Sequence, residues 1–308
     1  MEHSGQIDTF SGIGEEAIDL RGFFAVVGGL RYASRSGVDS DDRPDPENPA
    51  ELLDQHPLDI TDVEPYPVRA FVDGTQSAIT VTRVEARPVT LVYVSAAAVG
   101  PERELLLLRE ELFCACAQEE AEWLQLADVR IPIEVIDEET PPALERRSID
   151  LVAGKREGAE REVILELVDD PNPDAIIVDG TLVGRAVDPR LIGVVKTTKR
   201  RYLADETVIY RLPEGWRSPR FVIENEGITR YSCYVRLFEA SAGRRWDFGL
   251  IRIESHDPDT LDRAAATAYA WRARPGSDAR WDRHLAGMIG CEAHLKARRP
   301  AVFNFDLG

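Results

Sequence analysis

The feature that most constrains this chain is a succession of β-branched segments, "VRAFVDG" (68 to 74), "SAITVTRVEA" (77 to 86) and "PVTLVYVSAAAV" (88 to 99), separated by short breaks. Partial period-two alternation marks each as a strand, and breaks this short join antiparallel neighbours. They predict a three-strand meander. Helical text follows over 101 to 127, then a strand, "VRIPIEVI" (129 to 136), a helix over 142 to 168, and a short buried strand, "DAIIVDG" (174 to 180). "TVIYRLP" (207 to 213), "RFVIE" (220 to 224) and the pair "SCYVRLFEA" and "FGLIRIES" add strands, and two helices, about 258 to 273 and 281 to 299, close the chain. A meander followed by alternating helices and strands suits one α/β domain, a mixed sheet flanked by helices with a C-terminal β/helical elaboration.

The chain has 308 residues, long for one domain and short for three. We divide it into an N-terminal segment (1 to 65) and the α/β domain (66 to 308). The N-terminal segment holds an apolar piece, "FFAVVGGLRYA" (23 to 33), and then a Pro-rich acidic stretch. Between Gly37 and Pro65 ten acids face one base, Arg43, so this stretch carries −9 of the net charge of −18. Such a composition predicts a mobile acidic extension.

Phosphate binding is carried by Lys and Arg, so the net charge at first argues against a nucleic-acid partner. The bases, however, cluster downstream: Lys196, Lys199, Arg200 and Arg201; Arg217 and Arg220; Arg244 and Arg245; Lys296, Arg298 and Arg299. On one face they make a positive groove on an acidic protein; scattered, they are ordinary solvated charges. No stretch approaches the roughly 20 apolar residues of a membrane span, and the N-terminus shows no secretory pattern, so a soluble cytoplasmic protein is expected. Cys114, Cys116, Cys233 and Cys291 are too scattered for a disulfide framework and read as reduced, buried thiols, with Cys114 and Cys116 in the helical text.

Each of two Asp-Gly pairs, Asp73-Gly74 and Asp179-Gly180, ends an apolar run. A carboxylate at the end of a buried strand is costly unless a cation or a turn compensates it. The turn reading has Asp accepting backbone amides and Gly taking positive φ. The helix between the two sites favours the cation. Val163, Ile164 and Leu167 stand three, four and seven positions after Glu160, which places that carboxylate on the core-facing stripe. Glu157 and Glu162 read as surface charges. In the last helix Met288, Ile289 and Leu295 put Glu292 on the apolar face, with His294 to the side. Inward carboxylates of this kind are what a two-metal phosphoryl-transfer site requires, because hard oxygen ligands hold Mg²⁺ or Mn²⁺.

"FVDGTQS", "AIIVDGTL" followed by "IGVVKTT", the intervening helix with its glutamate and the closing helix resemble the NurA nucleases over roughly residues 66 to 300. The resemblance implies an RNase H-like fold and a metal-dependent DNA nuclease, commonly a homodimer working with a hexameric HerA-type ATPase. No Walker A pattern occurs, so such a motor is another chain. It further implies that Asp73 and Asp179 are the strand-end metal aspartates, that Glu160 is the helix glutamate (Glu157 and Glu162 being the alternatives), and that Lys196 holds the phosphate. The closing helix departs from the family's Tyr-Pro and later histidine, having His284-Leu285 and Glu292, so Glu292 or His294 stands as the fourth ligand. Gln76 departs just past the first motif. Two other classes stay open: a non-enzymatic RNase H-like scaffold, and phosphotransfer of the sugar-kinase and actin type, for which "DGTQSA" is poor in glycine.

Overall fold

A computed structural model describes residues 49–304 apart from 85, 127–129, 139, 197–201, 226, 240–244 and 275–281. The apolar piece (23 to 33), the acidic stretch as far as residue 48, and Lys199, Arg200, Arg201 and Arg244 lie outside the described residues. The strands are β1 (Leu58–Asp59), β2 (Val68–Val84), β3 (Arg87–Val99), β4 (Leu105–Cys116), β5 (Ile133–Val135), β6 (Ala175–Asp179), β7 (Leu191–Val195), β8 (Trp216–Arg217), β9 (Phe221–Asn225), β10 (Ile228–Arg236) and β11 (Leu250–Ser255). The helices are α1 (Gln118–Leu126), α2 (Pro141–Asp169), α3 (Thr207–Tyr210), α4 (Leu261–Ala270) and α5 (Ala286–Arg298).

All the strands join one mixed sheet, ordered β1-β8-β10-β11-β7-β6-β2-β3-β4-β5, with β9 beside β10. Within it β2, β3 and β4 form an antiparallel meander, β6 runs parallel to β2, and β7 parallel to β6. It is not the meander expected: the stretches 68 to 74 and 77 to 86 fall in one strand, β2, because the backbone stays paired to β3 through Asp73-Gly74, and the third strand is β4. Numbered in chain order, these five strands lie in the spatial order 3-2-1-4-5, the RNase H-like arrangement that the NurA resemblance implies. Helix α2 makes the crossover from the β5 edge back to β6. Its Val163, Ile164 and Leu167 pack on Ala70, Val72, Ile176 and Val178, covering one face of the sheet. Helices α4 and α5 cover the other, where Leu261, Ala265, Met288 and Cys291 meet Phe71, Ile177, Val194 and Ile253. With both faces buried, β6 needs apolar residues at successive positions, which is why "AIIV" shows no alternation.

The helical text over 101 to 127 does not form one helix. It splits into β4 and the short α1. Leu, Glu and Arg give this stretch good helix propensity, but pairing with β3 on one side and β5 on the other overrides it. The strand period is visible in retrospect: Leu112, Cys114 and Cys116 enter one apolar cluster, and Phe113, Ala115 and Ala117 the opposite one. All four cysteines are buried and free, with Cys114 and Cys116 on a strand rather than in the expected helix. "TVIYRLP" likewise holds a single helical turn, α3, in place of a strand.

The acidic stretch is held to the sheet where it is described. Leu53 N donates to Arg220 O, β1 pairs with β8, and Ile60 is buried. Asp54 lies 3.0 Å from Arg217 and 2.7 Å from Arg220. These two arginines therefore serve the acidic segment and add nothing to a positive groove. No helix among the described residues is long and apolar enough to cross a membrane.

Candidate active site

Asp179 closes β6 and Lys196 follows β7, both at the carboxyl ends of parallel strands, where open α/β sheets form their crevices. Strand β2 runs beside β6 up to the pair Val72 and Val178, and this register sets Asp73 next to Asp179. Phe71, Ile177 and Val194 face the core beneath α4 and α5. Two residues further along each strand, Asp73, Asp179 and Lys196 stand on that same face. Lys196 Nζ donates to Asp179 Oδ2 at 2.8 Å. Glu160 arrives from the opposite face on α2 and is 2% exposed.

Gly74 makes this meeting possible. It lies inside β2, opposite Ala96, so the chain continues straight through the expected turn. A Cβ there would stand 2.3 Å from Glu160 Oε1 and 2.8 Å from its Cγ. The glycine is thus a gap through which the helix carboxylate reaches the strand. At the second pair the turn expectation fits, since Gly180 has a φ of +93°, which an L side chain rarely adopts.

Asp73, Glu160, Asp179 and Lys196 line one cleft of about 460 Å³, together with Arg156 and Arg185. Asp73 Oδ1 accepts from the Gly74 amide at 2.8 Å. Burial, and then the neighbouring Asp179 charge, push its carboxyl up to about 8, against the opposing pull of Lys196 and the Gly74 amide. Glu160 gives one oxygen to Arg156 and the other to Arg185. Among the described residues no three acid, histidine or cysteine side chains gather as a ready ligand set for a metal. The donors themselves fit a hard divalent cation: they are carboxylate oxygens, and Asp73 is buried where its charge is disfavoured until a cation stands beside it.

The loop after Asp179 is fastened from behind. Glu254 on β11 is fully buried and accepts from Thr181 Oγ1 and Leu182 N, each at 2.8 Å, and from Arg230 at 2.7 Å, while its other oxygen takes Arg252. Burial works to raise its pKa, but Arg252 and Arg230 hold the carboxyl below its ordinary value. Glu254→Gln leaves two buried guanidiniums without their counter-charge, and a loss of about 3–5 kcal/mol is expected in chemical denaturation.

The remaining sequence-named residues stand further out. Glu157 lines the cleft, half exposed and 3.6 Å from Arg156. Glu162 leans away to Arg109 at 3.7 Å. Glu292 on α5 lies between Lys296 at 3.0 Å and His284 at 3.4 Å, outside the lining of the cleft. Burial works to raise its carboxyl, but Lys296, His284 and Lys196 hold it low. His294 Nε2 bonds to Arg103 O at 3.0 Å, away from the acids. Gln76 Oε1 accepts from Arg156 at 3.2 Å. Sequence reasoning missed Arg156, Arg185 and Glu254. The spacing of Arg156, one turn before Glu160, is a detectable helix-pair signal; Arg185 sits in a loop and leaves none.

A sheet in the order 3-2-1-4-5 with acids at its open strand ends has the fold of an α/β nuclease. A family profile described as the NurA domain matches residues 70–298, and the chain belongs to the NurA family, whose nucleases are generally metal-dependent. Comparison with curated proteins gives no match. A solved structure of Aquifex aeolicus Argonaute is 14% identical, covering 74% of this chain and 28% of its own, with a TM-score of 0.27. This chain spans well under a third of that protein, and at that score the likeness carries no argument.

Proposed function

We propose that this chain hydrolyses DNA phosphodiesters with two divalent cations, Mn²⁺ or Mg²⁺, and that Asp73, Asp179 and Glu160 hold them. The observation that carries the reading is the juxtaposition of Asp73 and Asp179 on adjacent parallel strands, where Asp73 is buried beside its acidic neighbour, so that burial and the Asp179 charge push its carboxyl up to about 8. Such repulsion is relieved by cations. When bound, they supply an activated water and stabilisation of the leaving oxygen. Lys196, now on Asp179, is placed to hold the scissile phosphate against the developing charge. Glu292 is the candidate fourth acid, since its carboxylate feels the charge of Lys196 from α5.

Family membership supports DNA as the substrate, a homodimer, and work with a HerA-type ATPase in DNA end processing, repair or defence against foreign DNA; residues 66 to 308 are taken as the nuclease domain. The cations that clamp Glu160 and Asp179 favour a second reading, an inactive scaffold. Incubation with labelled single- and double-stranded DNA separates the two. Cleavage in Mn²⁺ that EDTA stops is expected. No metal-dependent product, with or without the ATPase, returns the protein to the scaffold class.

A further inference from the structure

The acids of the cleft are matched by bases. Arg156, Arg161, Arg185 and Lys196 line it beside Asp73, Glu157, Glu160 and Asp179, so on a chain with a net charge of −18 this cleft is close to balanced. Two of these bases act on one group. Arg156 binds Oε1 of Glu160 from within α2, and Arg185 binds Oε2 from the loop after β6. Both oxygens with which Glu160 would hold a cation are therefore engaged by guanidiniums.

The two arginines differ in how freely they can leave. Arg185 is nearly buried, whereas the Arg156 side chain is 30% exposed at the mouth of the cleft, its Nε on Gln76. A carboxylate as buried as Glu160 cannot be left without a partner, because an uncompensated charge there is strongly destabilising. It must be paired with a guanidinium or with a metal ion at every stage. A cation entering alone has to displace the arginines. A phosphate entering with it offers each planar guanidinium a two-oxygen partner.

We propose that Arg156 and Arg185 form an exchangeable clamp, holding Glu160 until DNA arrives and then passing to the DNA phosphates, so that the carboxylate is released to the cation. This rests on the two-cation reading above and adds an order to it: substrate and metal favour one another's binding. The coupling is reciprocal, so DNA tightens Mn²⁺ by the factor by which Mn²⁺ tightens DNA. Premature cation loading is disfavoured, and Arg156 and Arg185 become substrate-binding residues.

The clamp makes an expectation that loss of structure cannot imitate, because two affinities move in opposite directions. In Arg156→Gln, Mn²⁺ measured by isothermal titration without DNA binds on the order of tenfold tighter, while a labelled oligonucleotide in EDTA binds on the order of tenfold weaker by fluorescence anisotropy. Arg185→Lys, which keeps the charge in the more buried position but loses the planar fork, moves both in the same senses by less. Thermal melting confirms that each variant is folded. Mn²⁺ affinity unchanged or weaker in Arg156→Gln overturns the clamp, as does unchanged DNA affinity. If that happens while the wild type still cleaves DNA in Mn²⁺, the clamp alone fails and the nuclease assignment stands. A wild type that neither binds Mn²⁺ nor cleaves removes the nuclease assignment and the clamp with it.

Discussion

Asp73→Asn and Asp179→Asn are each expected to reduce Mn²⁺-dependent DNA cleavage by at least about a thousandfold, since losing a charged ligand forfeits several kcal/mol of transition-state stabilisation. The fold survives both changes. Asp179 sits at the rim, its carboxylate bonded to Lys196, and an amide can replace that bond. Asp73 is an acid whose charge the fold disfavours, so Asn stabilises the protein in EDTA. The pH dependence follows from its raised pKa: with a value of about 8 folded against 3.8 for the ordinary group, the folded state holds the extra proton between those limits. The contribution of Asp73 to wild-type stability therefore falls as pH rises from about 4 to about 8. The amide introduced by Asp73→Asn cannot titrate. Thermal melting in EDTA should show the variant ahead of the wild type by roughly a few degrees at pH 8, with the gap closing toward pH 4. Mn²⁺ should raise the melting temperature of the wild type and leave that of Asp73→Asn nearly unmoved. Cleavage that survives both substitutions would remove these acids from the chemistry.

The second large effect is expected at a residue with no reactive group. Gly74→Ala puts a methyl 2.3 Å from Glu160 Oε1, 2.8 Å from Cγ and 2.9 Å from Cδ. The end of a glutamate side chain ordinarily swings away at little cost, but this one is buried and gripped by Arg156 and Arg185. Relief must come from moving the carboxylate or the strand. Overpacking of this kind costs about 1–3 kcal/mol, and displacing the carboxylate by about 1 Å lowers kcat on the order of a hundredfold. A melting curve and a single-turnover assay measure the two. An active Gly74→Ala enzyme would mean that Glu160 does not need its present position.

The two glycines show how far sequence reading reaches. Both follow an aspartate at the end of an apolar run, and local chemistry assigns both to turns. At Gly180 the assignment fits, because a positive φ is a property of a few consecutive residues. At Gly74 it does not, because the reason for the glycine is a side chain 86 positions away in the chain, brought in by the α2 crossover. The same division explains the stretch from 101 to 127. Its helix propensity is a local fact; its burial between β3 and β5 is not.

By itself, the sequence determined the α/β class, the strand character of β2 and β3, the long helix α2 with Glu160 on its buried stripe, and the aspartate and lysine at the ends of β6 and β7, since each follows from apolar periodicity over neighbouring residues. The turns of the meander it misplaced, because Asp73-Gly74 lies inside β2 and the third strand is β4. Only the tertiary structure decided that Asp73, Asp179 and Lys196 share one face, that Glu160 enters the same cleft against Gly74, that Arg156 and Arg185 grip that glutamate, and that Glu254 anchors the loop behind Asp179. Those relations depend on strand register and on charges paired across distant segments. Periodicity sets which way a side chain points, but the partner it meets is chosen only when the sheet closes.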